Sequence, residues 1–130
     1  MEHRKKRILV IEDDAEMRSL LKDFVKEEGF DVDSVEDGSE AFRKLAKENF
    51  DLIISDLRMP GLGGLEILPG LKKIQPGVPV ILITAFGSEE VHRRALERGA
   101  DAYLEKPIHF DGLKALIQEV VSSKDQNKKV

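Results

Sequence analysis

Five times along this chain a short apolar run gives way to an amphipathic stretch, and that alternation limits the fold more than any other property of the sequence. Ile8-Leu9-Val10-Ile11 is short, unbroken and rich in β-branched residues, the signature of a buried strand. Met17, Leu20, Leu21, Phe24 and Val25 then recur at the spacing of one helical face, which Gly29 ends. Val32-Asp33-Ser34-Val35 alternates like a strand near a sheet edge. Ala41, Phe42, Leu45 and Ala46 mark a second helix, with Ser39 available to cap it. Leu52-Ile53-Ile54 is the third strand, and Leu65 to Ile74 has a helical pattern interrupted by Pro69-Gly70. Because proline removes an amide donor, that helix is expected to be short, late-starting or kinked. Val80-Ile81-Leu82-Ile83 is the fourth strand; Val91, Ala95 and Leu96 mark a helix stopped by Gly99. Ala102-Tyr103-Leu104 is the fifth strand, followed by a helix on Phe110, Leu113, Leu116, Ile117, Val120 and Val121.

Strands that alternate with helices across short connections form a parallel sheet covered on both faces, an α/β architecture. Right-handed crossovers make the winding double, and the order 2-1-3-4-5 sets the first and third strands side by side at the switch point. A chain of 130 residues supports one such domain. Ligands of these sheets bind beyond the carboxyl ends of the strands. At those ends this sequence carries Glu12-Asp13, Asp56, Thr84 and Lys106.

That edge is overloaded with negative charge. Glu12, Asp13 and Asp56 bring three carboxylates together, and Lys106 offsets only one. Hard oxygen donors with no cysteine in the chain suit Mg²⁺, with Mn²⁺ as a substitute. His3, His92 and His109 are too scattered to form a ligand pair and read as surface or packing residues. The formal charge of −4 argues against non-specific nucleic-acid binding. The basic run His3-Arg4-Lys5-Lys6-Arg7 reads as a solvated lead-in to the first strand. With no signal-peptide pattern and no run near the roughly 20 apolar residues of a membrane span, a soluble cytoplasmic domain is expected.

A carboxylate beside a divalent ion, a hydroxyl and an ammonium is equipped for phosphoryl transfer. Asp56 can act as nucleophile and form an acyl phosphate, while Mg²⁺, Lys106 and the Thr84 hydroxyl each take one phosphoryl oxygen. Ala85 and glycines 61, 63 and 64 leave room for the group. Singly, each residue has a plainer role: a turn cap, a strand threonine, a surface lysine. Asp14 is expected to cap the first helix. Convergence at one sheet edge favours the functional reading.

The stretches "ILVIEDD", "DLIISDLRMPGLGGLEIL", "VPVILITAFG" and "GADAYLEKPI", in that order, resemble the receiver domains of bacterial two-component response regulators. The resemblance covers nearly all of residues 7–123; "TAFG" and "YLEKPI" are most similar to receivers of nitrogen-regulation-type transcription activators. It implies a flavodoxin-like three-layer sandwich spanning 7–123, between a basic lead-in at 1–6 and a polar tail or linker at 124–130. It implies Asp56 as phosphoacceptor, Asp13 as a direct metal ligand, Glu12 as a ligand through water, and the Arg58 backbone carbonyl as a further ligand. Thr84 and Tyr103 match the switch pair, Lys106 the lysine of the site, and Lys106–Pro107 the position of a cis peptide. Arg58 and Phe86 occupy the positions that tune phosphoryl lifetime. A sensor histidine kinase would be the donor, and the surface of the fourth helix, fifth strand and fifth helix would signal to an output domain or a partner protein, with homodimerisation on phosphorylation and no direct nucleic-acid or membrane contact. The chain would be a regulatory domain, of a larger transcriptional regulator or standing alone, rather than a turnover enzyme. Gly63, where the family often has Asp or Asn, and Pro69-Gly70 are departures.

Three other readings compete less well. A haloacid-dehalogenase-type phosphatase needs a second acid where Arg58 stands. A flavodoxin-like cofactor binder needs a phosphate loop where this chain has acids. A pseudo-receiver would lack part of a residue set that is complete here.

Overall fold

The computed structural model describes the backbone of residues 5–56, 64–84 and 89–128, and the side chains of all of these except 64–66 and 123–128. Along the chain run β1 (Arg7–Ile11), α1 (Ala15–Glu27), β2 (Asp31–Val35), α2 (Gly38–Lys47) and β3 (Leu52–Asp56). They are followed by α3 (Gly64–Ile74), β4 (Val80–Thr84), α4 (Glu89–Glu97), β5 (Ala102–Glu105) and α5 (Phe110–Lys128). The strands form one parallel sheet in the order β2-β1-β3-β4-β5, as the alternating pattern required.

Side chains on a strand point alternately to opposite faces, so each apolar run feeds two cores. Ile8, Val10, Leu52, Ile54, Ile81 and Ile83 pack with Leu21 and Val25 of α1 and Leu113 and Ile117 of α5. Leu9, Ile11, Ile53, Val80 and Leu82 point the other way, against Leu45 of α2, Leu68 and Leu71 of α3 and Ala95 of α4. Strands β1, β3 and β4 are therefore apolar on both faces, which explains their unbroken runs. The edge strand β2 is only partly buried and keeps an alternating pattern.

Gly29 and Gly99 follow α1 and α4 with φ of +96° and +105°, a left-handed conformation that glycine adopts without a Cβ penalty. Asp14 caps α1, its side chain accepting the Met17 amide at 2.8 Å. For α2 the expected cap is corrected. Asp37, not Ser39, accepts the Glu40 amide at 2.9 Å, because the helix already begins at Gly38.

The third helix is neither short nor late-starting. α3 runs unbroken from Gly64 to Ile74 with Pro69 inside it. The proline forfeits one amide hydrogen bond, while burial of Ile67, Leu68 and Leu71 holds the helix on the sheet. Gly70 has a reason outside its own helix. A Cβ there would lie 2.9 Å from the Phe42 ring on α2, and a Cβ on Gly38 would lie 2.9 Å from Ile67 on α3. The two helices approach closely, each offering a glycine to the other's side chain.

Candidate functional site at the carboxyl edge of the sheet

Strand register delivers the acids, hydroxyl and lysine to one edge. Ile11 pairs with Ser55, so Glu12 and Asp56 emerge together beyond β1 and at the end of β3. Asp56 pairs with Ile83 and Thr84 with Glu105, so Thr84 ends β4 and Lys106 follows β5 beside them. The Lys106 amide donates to the Thr84 carbonyl at 2.7 Å, tying the end of β5 to that of β4. The Lys106–Pro107 peptide bond is cis.

The Lys106 ammonium donates to Asp56 Oδ2 at 2.8 Å and lies 3.7 Å from Glu12 Oε1. Glu12, Asp56 and Thr84 are buried, with relative exposures of 1%, 6% and 0%. Asp13 is exposed. One carboxylate oxygen each from Glu12, Asp13 and Asp56 lies within 4.8 Å of the others. Burial first, then a hydrogen bond with Asp56 and the charge of Asp56, push the Glu12 carboxyl up to about 8. The Asp14 amide and Lys106 only partly oppose that shift. Burial disfavours the Lys106 ammonium, but its hydrogen bond to Asp56 and the charges of Asp56, Glu12 and Asp13 hold its pKa above the ordinary lysine value. Burial and the neighbouring Asp56 thus favour the protonated form of Glu12 near neutrality. Oxygen donors alone, close together and short of a cation, fit Mg²⁺.

Tyr103 lies on β5, partly buried, its ring stacked on His92 of α4 with centroids 4.6 Å apart and planes 13° from parallel. Burial and then the Glu105 charge raise its phenol pKa. His92, which reads from sequence as a surface or packing residue, is the partner of this ring. A second contribution missed in the sequence is Arg18. Its Nη1 donates to the backbone carbonyls of Glu12 at 3.0 Å and Asp13 at 3.4 Å. Nothing in local periodicity marks a side chain that reaches back to backbone across a helix start. Arg58, Phe86, Ala85, Gly61 and Gly63 lie outside the described residues.

A buried aspartate bonded to a lysine, beside two further acids, thus lies at the switch point of a doubly wound sheet in a small α/β domain. The family model of the response regulator receiver domain matches residues 8–118. The chain belongs to the response regulator receiver domain family. It is 36% identical over 121 residues to the transcriptional regulatory protein GlrR of Escherichia coli (strain K12), covering 93% of this chain and 27% of that protein. The chain therefore spans about a quarter of the length of that curated relative. A CheY-like receiver domain protein from Methanospirillum hungatei JF-1 superposes with a TM-score of 0.91 at 31% identity, covering 95% of this chain and 99% of that one. The response regulator protein TrrA of Thermotoga maritima, in complex with Mg²⁺-BeF, gives a TM-score of 0.80 at 38% identity over 88% of this chain and 98% of its own.

Proposed function

We propose that this domain is a phosphorylation-controlled switch in which Asp56 accepts a phosphoryl group from a phosphohistidine on a sensor histidine kinase. An Asp56 carboxylate oxygen attacks phosphorus, the P–N bond breaks with its electron pair passing to the imidazole, and an acyl phosphate results. The observation that carries this reading is the Lys106 ammonium 2.8 Å from the buried Asp56 carboxylate, with Glu12 and Asp13 oxygens beside it. In this reading Lys106 holds one transferred oxygen, and the hydroxyl of Thr84, a buried residue at the end of β4, takes another. Asp13 and Asp56 would ligate Mg²⁺ or Mn²⁺ directly, Glu12 through water, with the Arg58 carbonyl completing the set. The ion's chemistry there is to neutralise charge on the phosphoryl oxygens. The likeness to a receiver solved with Mg²⁺-BeF supports both assignments.

Phosphorylation then shifts a two-state equilibrium through Thr84 and Tyr103, and the surface of α4, β5 and α5 presents the change to an output domain or a partner protein. Arg58 and Phe86 set the lifetime of the acyl phosphate. Residues 7–123 form the receiver, with 1–6 leading in and 124–130 leading out, and the whole acts in the cytoplasm as part of a larger transcriptional regulator. Phosphorylation-driven homodimerisation is one means of output. Fluorine NMR with Mg²⁺ and beryllofluoride tests the chemistry. Wild-type protein should show a bound fluoride resonance that Asp56→Asn lacks; a wild-type spectrum of free fluoride species alone would overturn the proposal.

A further inference from the structure

The segment that carries Asp13 is pinned at both ends by its own residues. The Glu12 amide donates to the Val35 carbonyl at 3.1 Å, extending the β1–β2 pairing by one residue. On the other side the Asp14 side chain caps α1 at Met17, and the Asp14 carbonyl accepts the Arg18 amide at 2.8 Å. Between these anchors the Glu12 and Asp13 carbonyls turn toward Arg18, whose Nη1 bonds both at 3.0 and 3.4 Å. Its Nη2 lies 3.5 Å from Glu36 Oε1 in the turn after β2. The Arg18 side chain is 20% exposed, so the Glu12 contact is partly sheltered, while those to Asp13 and Glu36 face solvent.

We propose that Arg18 is a positioning residue for the cation site: by clamping the two carbonyls that flank Asp13 it presets that residue's carboxylate for a divalent ion. The proposal rests on the reading of Glu12, Asp13 and Asp56 as that site. Charge and geometry make opposite demands here, which makes the inference testable. As a plain positive charge beside three acids, Arg18 weakens cation binding, and its removal should tighten it. As a clamp it lowers the cost of assembling the ligands, and its removal should loosen binding. A 3.0 Å bond to the Glu12 carbonyl from a partly buried guanidinium, with a longer 3.4 Å contact to the Asp13 carbonyl, favours the clamp. Supports of this kind are worth roughly tenfold or more in metal affinity.

The test is titration of the 130-residue protein with MgCl₂, followed by amide chemical shifts, for wild type, Arg18→Gln and Arg18→Lys, with Asp13→Asn as a control for the site itself. Arg18→Gln should weaken Mg²⁺ binding roughly tenfold, with Arg18→Lys in between because charge is kept and the planar fork lost. Unchanged or tighter binding by Arg18→Gln would overturn the clamp. Hydrogen exchange in metal-free protein gives a second readout: the Asp14 amide, which donates to Glu12 Oε2 at 3.3 Å, should exchange faster in Arg18→Gln while the β3 and β4 amides stay protected. Equal exchange at Asp14 would overturn the clamp even if wild type bound no Mg²⁺. Failure of wild type and Asp13→Asn alike to bind the ion would instead sink the reading of the site.

Discussion

Glu12 is a carboxyl held in its protonated form near neutrality by burial, and that state has a thermodynamic signature. Its folded-state pKa of about 8 exceeds its ordinary value of 4.5, so between these values the folded protein binds more protons than the unfolded chain. Stability from this residue is complete below about pH 4.5 and is lost as pH rises toward 8. Thermal unfolding of metal-free protein should therefore show a downward slope over this window that Glu12→Gln flattens. Mg²⁺ should restore stability at the alkaline end. A wild-type minus Glu12→Gln difference in Tm that does not vary with pH would contradict the assignment. At this scale much of the site was legible: Asp56, Thr84 and Lys106 end apolar runs, and a strand's end is where such a sheet does its chemistry. Arg18 was not legible, because its partners are backbone carbonyls that leave no trace in residue type.

Among the elements, α2 and α3 show why a local rule can mislead. Pro69-Gly70 predicts a short, late-starting or kinked helix, since both residues are poor helix formers. The structure keeps the helix because its apolar face is buried and because Phe42 occupies the space a Cβ on Gly70 would fill. The reason for the glycine lies on another helix, beyond the reach of any window along the chain. Gly70→Ala should therefore destabilise by about 1–3 kcal/mol, despite alanine's better helix propensity, and Phe42→Leu should recover part of the loss. Urea denaturation of the two single variants and the double variant measures this coupling; a more stable Gly70→Ala protein would refute it. Gln75, at the end of α3, ties three backbone groups together. Its Oε1 accepts the Phe50 amide at 3.1 Å, and its Nε2 donates to the Leu45 and Glu48 carbonyls at 3.0 and 2.6 Å. Gln75→Ala leaves these sheltered groups without their partner and should cost about 1–3 kcal/mol in the same assay.

For the molecule as a whole, the sheet order was readable because five alternating units with right-handed crossovers leave few windings. The two-faced core explains why β1, β3 and β4 lack the alternation that half-buried strands show. What periodicity could not supply is a contact between α4 and β5. The His92–Tyr103 stack joins α4 to β5 on the face proposed for output. If Tyr103 moves when Asp56 is modified, this stack must break or slide. Mg²⁺ with beryllofluoride should shift the imidazole resonances of His92, and Thr84→Ala should blunt that shift while Asp56 still binds the fluoride. Unmoved His92 signals in a saturated wild-type sample would contradict a readout through this face.

The most direct test of the account is intact-protein mass spectrometry after incubation with Mg²⁺ and a small phosphodonor such as acetyl phosphate. The expected result is a gain of one PO₃ group, removed by hydroxylamine, mapped to Asp56 and absent from Asp56→Asn. A wild-type mass that stays unmodified, or a phosphoryl group mapped to any other residue, would contradict it.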